Sequence, residues 1–230
     1  MKIVSRKTYT VITSATLLLA SALLAPAPAK ASPNSLCAFE EFATGDGSEL
    51  NPYSVADEAD LSEVADCGGV PNVYYKQTSD ISLTSEWINQ NGFSGIYDGD
   101  YHTISNIQIN GANSGNGLFE AIQNGEIKKL NLSGSISNAI TNTGLIAGSA
   151  LNATISEVNV KVDINAPSNN LTEPSMNIGG ALGAVSSGSD LVNILVEPLV
   201  LGESSVEGNT SVGGVVGYAY DTNLVNIRSV

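Results

Sequence analysis

The chain has 230 residues, of which 42% are hydrophobic and only 6% aromatic, and its formal net charge is −14. That length supports one domain with a substantial core, yet few large rings are available to fill it. The acidity argues against nucleic acid, anionic lipid and polyuronates as partners; it favours solubility and weak surface binding of divalent cations such as calcium, and no other cofactor is implied.

Residues 1–31 read as a signal peptide. Lys2, Arg6 and Lys7 form a basic start, "VITSATLLLASALLA" is an apolar run shorter than the ~20 residues a spanning helix needs, and Ala29 and Ala31 suit cleavage after Ala31. The leader holds four of the nine basic residues and no acidic one, so the mature chain keeps five against 23 acidic residues. Export points to a secreted or cell-surface protein with no membrane segment after cleavage, and to oxidised cysteines. Cys37 and Cys67 are the only two in the chain. A bridge over their 30-residue interval is worth about 3 to 4 kcal/mol in the loop-entropy model. A metal site on the same two cysteines would need further ligands, and the chain has one histidine.

Residues 32–80 are expected to form an N-terminal cap pinned by that disulfide, with one short helix in "VADEADLSEVAD" after Ser54. Residues 81–230 read as repeats. "NTGLIAGSALNATISEVNV", "NIGGALGAVSSGSDLVNILV" and "SVGGVVGYAYDTNLVNIRS" each place glycines around small aliphatic residues ahead of an alternating strand, and "GNGLFEAIQNGEIKKLNLSG" is a less regular copy. The repeat glycines are Gly117, Gly144, Gly148, Gly179, Gly180, Gly183, Gly213, Gly214 and Gly217, with Gly117, Gly144, Gly180 and Gly214 aligned as equivalents.

Alternation in Leu130, Leu132 and in Val158, Val160, Val162, Ile164 gives strands with one buried face. Units this short cannot bury that face alone and must stack. The expected fold is therefore all-β, a right-handed parallel β-helix with aliphatic stacks inside and Asn ladders at the turns; a β-propeller is the competing arrangement. The sequons at Asn131, Asn152, Asn170 and Asn209 read as turn or ladder residues. "NAPSNNLTEPSMN" and "EPLVLGESSVEGN" read as surface insertions. The strand after "GGVVGYAY" stops inside a repeat, which suggests an open terminal coil, either continued by a longer protein or paired with another copy.

"GFSGIYDGDYHTISNIQING" contains Asp98, Asp100 and the single histidine, His102. As a structural corner, Gly95 and Gly99 permit bends, Asp98 caps free amides, and the spacing from Ile104 to Ile107 marks a kink. As an enzyme, Asp98 and Asp100 would be the acid and base of an inverting glycosidase, but same-face neighbours stand closer than the ~6.5 to 9.5 Å such a pair needs. Polyuronate lyase chemistry normally calls for basic residues and calcium, and the only arginine beyond the leader is Arg228. No His-Glu-x-x-His, Gly-x-Ser-x-Gly or phosphate-loop motif is present, so no catalytic or metal-ligating residue is assigned.

The glycine pattern at 178–185 and 212–219, the variant "GLIAG" at 144–148, and the upstream "GDGSELNPYSVADEADLSEV" and Phe-x-Gly-x-x-Asp-Gly corner resemble the GLUG-motif repeat proteins of bacterial surfaces over roughly residues 42–230. The resemblance implies a solenoid and no single chemistry, because such repeats are adhesin-like or flank surface peptidases. It implies that Gly95, Asp98, Gly99 and His102 are scaffold. The expected function is an adhesin-like module presenting a face to an extracellular glycan or protein, or to another copy of itself. A carbohydrate-active enzyme and a structural spacer are the alternatives.

Overall fold

The computed structural model describes residues 37, 39, 42–89, 91–111, 116–139, 141–165, 177–201 and 211–230, the side chains of 198–201 and 212 excepted. The expected signal peptide, the sequons Asn170 and Asn209 and most of both insertions lie outside the described residues. The described residues all belong to one compact unit.

The polypeptide winds into stacked coils. The first holds strand β1 (Tyr53–Val55) and helix α1 (Glu58–Cys67). The second holds β2 (Tyr74–Gln77), β3 (Ile81–Ser82) and β4 (Gly92–Phe93); the third, β5 (Ile96–Asp98), β6 (Thr103–Asn110) and β7 (Phe119–Gln123). The fourth holds β8 (Glu126–Ser137) and β9 (Ala147–Leu151); the fifth, β10 (Thr154–Asn165), β11 (Asn177–Gly179) and β12 (Leu182–Ser186). Then come β13 (Asp190–Leu201), β14 (Ser211–Gly213) and β15 (Val216–Tyr220), and last β16 (Asn223–Ser229).

All pairings are parallel. One sheet runs β1-β2-β5-β8-β10-β13-β16 with β3 and β6 beside it, a second runs β4-β7-β9-β12-β15, and β11 pairs with β14. Because the strands alternate between sheets along the chain, each turn of the chain adds a rung to both, which is a parallel β-helix. The stacking begins at Tyr53, so the stretch expected as a cap already contributes two rungs.

Register turns the sequence alternation into columns. Tyr53, Tyr75, Tyr97, Ile127, Ile155, Leu191 and Leu224 pair in succession, and Ile81, Ile104, Leu132, Val160 and Val196 form a second column. Leu130, Val158 and Ile194 form a third, all buried. Each such side chain is worth about 1.5 to 3 kcal/mol when fully buried, so the columns rather than any single coil hold the fold.

The few rings are not spread evenly. Phe39 and Phe42 stack on Tyr53 at 5.2 and 4.7 Å, Tyr53 meets Tyr75 at 6.0 Å, Tyr75 meets Phe93 at 6.1 Å, and Phe93 meets Phe119 at 4.5 Å. The expected ring-poor core holds only beyond this N-terminal stretch, where aliphatic residues take over.

The helix begins later than Ser54, which belongs to β1. Its cap is Asp57, whose Oδ1 accepts from the amides of Ala59 and Asp60 at 2.9 and 3.0 Å, while Asp60 Oδ2 accepts from Ala56 N at 2.8 Å. Its buried face is Leu61, Val64, Ala65 and Cys67. Its C-terminal neighbour Gly68 accepts from Ser94 N at 2.6 Å, which seats the helix end beside β4, the first strand of the second sheet.

The large-sheet strands bend at one left-handed residue per coil, and register skips it: Lys129 (φ 51), Glu157 (φ 55), Asn193 (φ 57) and Asn226 (φ 54). The kink between Ile104 and Ile107 is a related break, with Asn106 at φ 58 and a register shift. A second left-handed column, Asn124, Asn152, Ser187 and Asp221, closes the turn after the second sheet. The expected Asn ladders are present: Asn152 Nδ2 donates to Asn124 Oδ1 at 2.7 Å, Asn159 to Asn131 at 2.9 Å, Asn177 to Asn142 at 2.8 Å and Asn226 to Asn193 at 2.8 Å. The sequon residues Asn131 and Asn152 are thus committed to ladders.

Glycine register departs from the sequence alignment by one residue. Phe119, Ala147, Leu182 and Val216 share a row, so Gly117 stacks with Leu145, Gly180 and Gly214, while Gly144 falls in line with Gly179 and Gly213. Asn116 stands where the less regular copy lacks the first glycine. The glycines serve close approach: a Cβ at Gly144 would sit 2.5 Å from the Ala181 oxygen, and one at Gly183 would sit 2.4 Å from Thr143 N.

Candidate functional site

The corner between β5 and β6 brings Asp98, Asp100 and His102 together with five residues to which the sequence drew no attention: Lys76, Asp80, Tyr101, Lys129 and Glu157. Asp98 Oδ1 accepts from Asp100 N at 3.0 Å, closing an Asx turn, and its Oδ2 lies 4.0 Å from Lys129 Nζ. Asp100 Oδ2 is 3.0 Å from Lys76 Nζ, and that lysine holds the Asp100 carboxyl below the usual carboxylate range. Asp80 Oδ1 accepts from Thr103 N at 2.8 Å and stands 3.3 Å from His102 Nδ1; these two contacts, the amide first, lower its pKa. The Tyr101 ring centroid is 5.9 Å from Lys129 Nζ and its hydroxyl donates to the Glu157 carboxylate, which raises the phenol's pKa.

The turn itself is made by Asp100 (φ 46) and Tyr101 (φ 65), not by the glycines. Gly95 and Gly99 have ordinary φ and are required for space instead: a Cβ on Gly99 would lie 2.5 Å from the Lys129 carbonyl oxygen, and one on Gly95 2.8 Å from that of Val73. These contacts join side chains of several coils, from Lys76 on β2 to Glu157 on β10.

The second sheet presents a different surface. Its outward positions form two rows: Ala121, Ser149, Ala184 and Tyr218, then Gln123, Leu151, Ser186 and Tyr220. The first row is a shelf of small side chains, and on β15 Tyr218 and Tyr220 are 48% and 64% exposed, with Leu151 at 41%. Residues two apart on a strand share a face, so both rings stand on the same side. Among the described residues no group of three or more His, Cys, Asp or Glu could hold a metal ion, and no helix is long and apolar enough to cross a membrane.

The cysteines meet at the N-terminal end as free thiols, so the expected disulfide is not formed in this structure. Cys37 Sγ donates to the carbonyl of Asp66, the residue before Cys67, at 3.4 Å, and Cys67 Sγ donates to Glu63 Oε1 at 3.0 Å. Glu63 lies one helical turn before Cys67 on α1, a spacing legible in the sequence only once the helix is known.

No family model matches the chain, so the GLUG resemblance rests on its motifs alone. A segment of halomucin from Haloquadratum walsbyi is 30% identical over 187 residues, which is 73% of this chain and 2% of that protein. The chain therefore spans a small fraction of that relative's length. A candidate immunoglobulin A1 protease from Bacteroides ovatus is similar in structure with a TM-score of 0.41 and 16% identity, covering 82% of this chain and 81% of the other.

Proposed function

We propose that the protein is a secreted or cell-surface β-helix module, adhesin-like, that binds a neutral extracellular glycan on the outer face of its second sheet and leaves it uncleaved. The observation that carries this reading is the exposed pair Tyr218 and Tyr220 beside the shelf of Ala121, Ser149 and Ala184. Tyrosine faces pack against the C–H faces of sugar rings at low entropic cost, small side chains let a flat chain approach the backbone, and Gln123, Ser149 and Ser186 supply neutral hydrogen-bonding groups. Net acidity selects against anionic glycans.

Other features support the export and module parts. The leader-like first 31 residues and the single cysteine pair suit an oxidising compartment. Similarity to 2% of a much longer protein fits a repeat module better than a self-contained enzyme. The test is a glycan array probed with the chain and with Tyr218→Ala/Tyr220→Ala. Neutral glycans are retained by the parent, unshortened, and lost by about tenfold or more, roughly 1.4 kcal/mol, in the variant at unchanged circular dichroism. Equal retention by both proteins, or shortened glycans, contradicts the proposal.

A further inference from the structure

The N-terminal end holds reactive groups that glycan binding does not use. Cys37 is partly exposed, Cys67 is 1% exposed, and the two belong to one apolar cluster with Phe39, Phe42 and Tyr53. Phe39 and Phe42 stack on the first rung of the ring ladder, so the segment carrying Cys37 lies across the end of the core. Cys67 ends α1, which packs on the same end and offers the Glu63 carboxylate to the Cys67 thiol at 3.0 Å.

We infer that Cys37 and Cys67 form a thiol-exchange site at which Cys37 captures an external disulfide, Glu63 holds Cys67 as the thiol until that capture, and the resulting Cys37–Cys67 bond ties Cys37 to the end of α1. Accessibility sets the order. Cys37 is reachable from solvent, whereas burial first, then the neighbouring Cys37 thiol and Glu63, push the Cys67 thiol's pKa up, so it is a poor first nucleophile.

The chemistry balances with a small-molecule or protein disulfide, R–S–S–R′, as oxidant. The Cys37 thiol loses its proton and attacks one sulfur, expelling R′–S⁻, which is protonated to R′–SH. Cys67 then loses its proton to solvent and attacks Cys37 Sγ, breaking the mixed disulfide and releasing R–S⁻. That thiolate takes up a proton, so two protein thiols are oxidised and one external disulfide is reduced to two thiols. Only the thiolate attacks, so the Glu63 carboxylate, which accepts from the Cys67 thiol and keeps it protonated, slows this second step.

The test treats the reduced full chain with oxidised glutathione, quenches with iodoacetamide and follows mass. The parent closes to an intramolecular disulfide. Cys67→Ser traps one glutathione on Cys37, and Cys37→Ser stays unmodified over the same period. Glu63→Gln resolves the mixed disulfide about tenfold or more faster than the parent, while Glu63→Gln/Cys67→Ser captures glutathione at the rate of Cys67→Ser, which confines the effect to the second step. Reducing the closed parent lowers its Tm by about 10 °C, as expected for a loop of this length in a domain of this size. Persisting dithiol in the parent, capture at Cys67 before Cys37, or resolution in Glu63→Gln no faster than in the parent overturns the assignment.

Discussion

Tyr75 and Tyr97 occupy adjacent rungs of one column, 1% and 0% exposed, and they respond oppositely to loss of the hydroxyl. Tyr97 donates to Gln77 Oε1 at 3.1 Å, and Gln77, itself buried, donates to the carbonyls of Ser79 and Thr103 at 2.8 and 3.3 Å. Tyr97→Phe leaves the Gln77 oxygen buried without a donor, a cost of about 1 to 3 kcal/mol. The Tyr75 hydroxyl is buried with no hydrogen-bond partner among the described residues. Tyr75→Phe keeps the ring contacts to Tyr53 and Phe93 and removes that orphan, raising stability by about 1 kcal/mol. With roughly 2 to 4 °C per kcal/mol for a domain of this size, the two variants separate by about 8 °C, one above and one below the parent. Differential scanning calorimetry of both at equal redox state checks this. A loss in Tyr75→Phe as large as that in Tyr97→Phe would show that the Tyr75 hydroxyl is satisfied and refute the reasoning.

The remaining expectations concern spacing, charge and burial. Gly183→Ala places a Cβ 2.4 Å from Thr143 N and 2.5 Å from the Gly148 oxygen, both backbone atoms of a neighbouring coil, and costs about 3 kcal/mol, whereas Gly69→Ala meets only an ordinary 3.6 Å contact and is neutral by urea unfolding. The lowered pKa values of Asp80 and Asp100 mean that their pairings stabilise the fold fully above the ordinary value of 3.8 and fade as pH falls through the lowered ones. Asp100→Asn should therefore flatten the acid limb of the stability curve, as followed by circular dichroism; an unchanged limb contradicts it. Leu224 is 44% exposed although its column partner Leu191 is fully buried, so Leu191→Ala should cost about 2 to 5 kcal/mol by urea unfolding and Leu224→Ala well under that; equal losses contradict it.

The columns were legible because alternation at Leu130, Leu132 and Val158–Ile164 survives intact in β8 and β10, and the Asn ladders because Asn recurs at coil spacing. What misled was substitution at equivalent positions. Lys129 and Glu157 hold the left-handed bend that Asn193 and Asn226 hold later, and neither residue type signals such a conformation. Leu145 occupies a place that is glycine in three other coils, which shifted the repeat alignment by one. Ser54 looked like a helix cap because the pairing of β1 with β2 is not local information. The corner's aspartates were visible, but their partners Lys76 and Lys129 lie on other coils and are brought in by stacking alone.

The most direct test of the account is an NMR titration of the isotopically labelled chain with the neutral glycan selected on the array, read together with the length of the recovered glycan. The account predicts that shifts concentrate on Gln123, Leu151, Ser186, Tyr218 and Tyr220 and that the glycan returns at full length. Shifts concentrated on Asp98, Asp100 and His102 with shortened glycan would contradict it and make the β5–β6 corner a hydrolytic site.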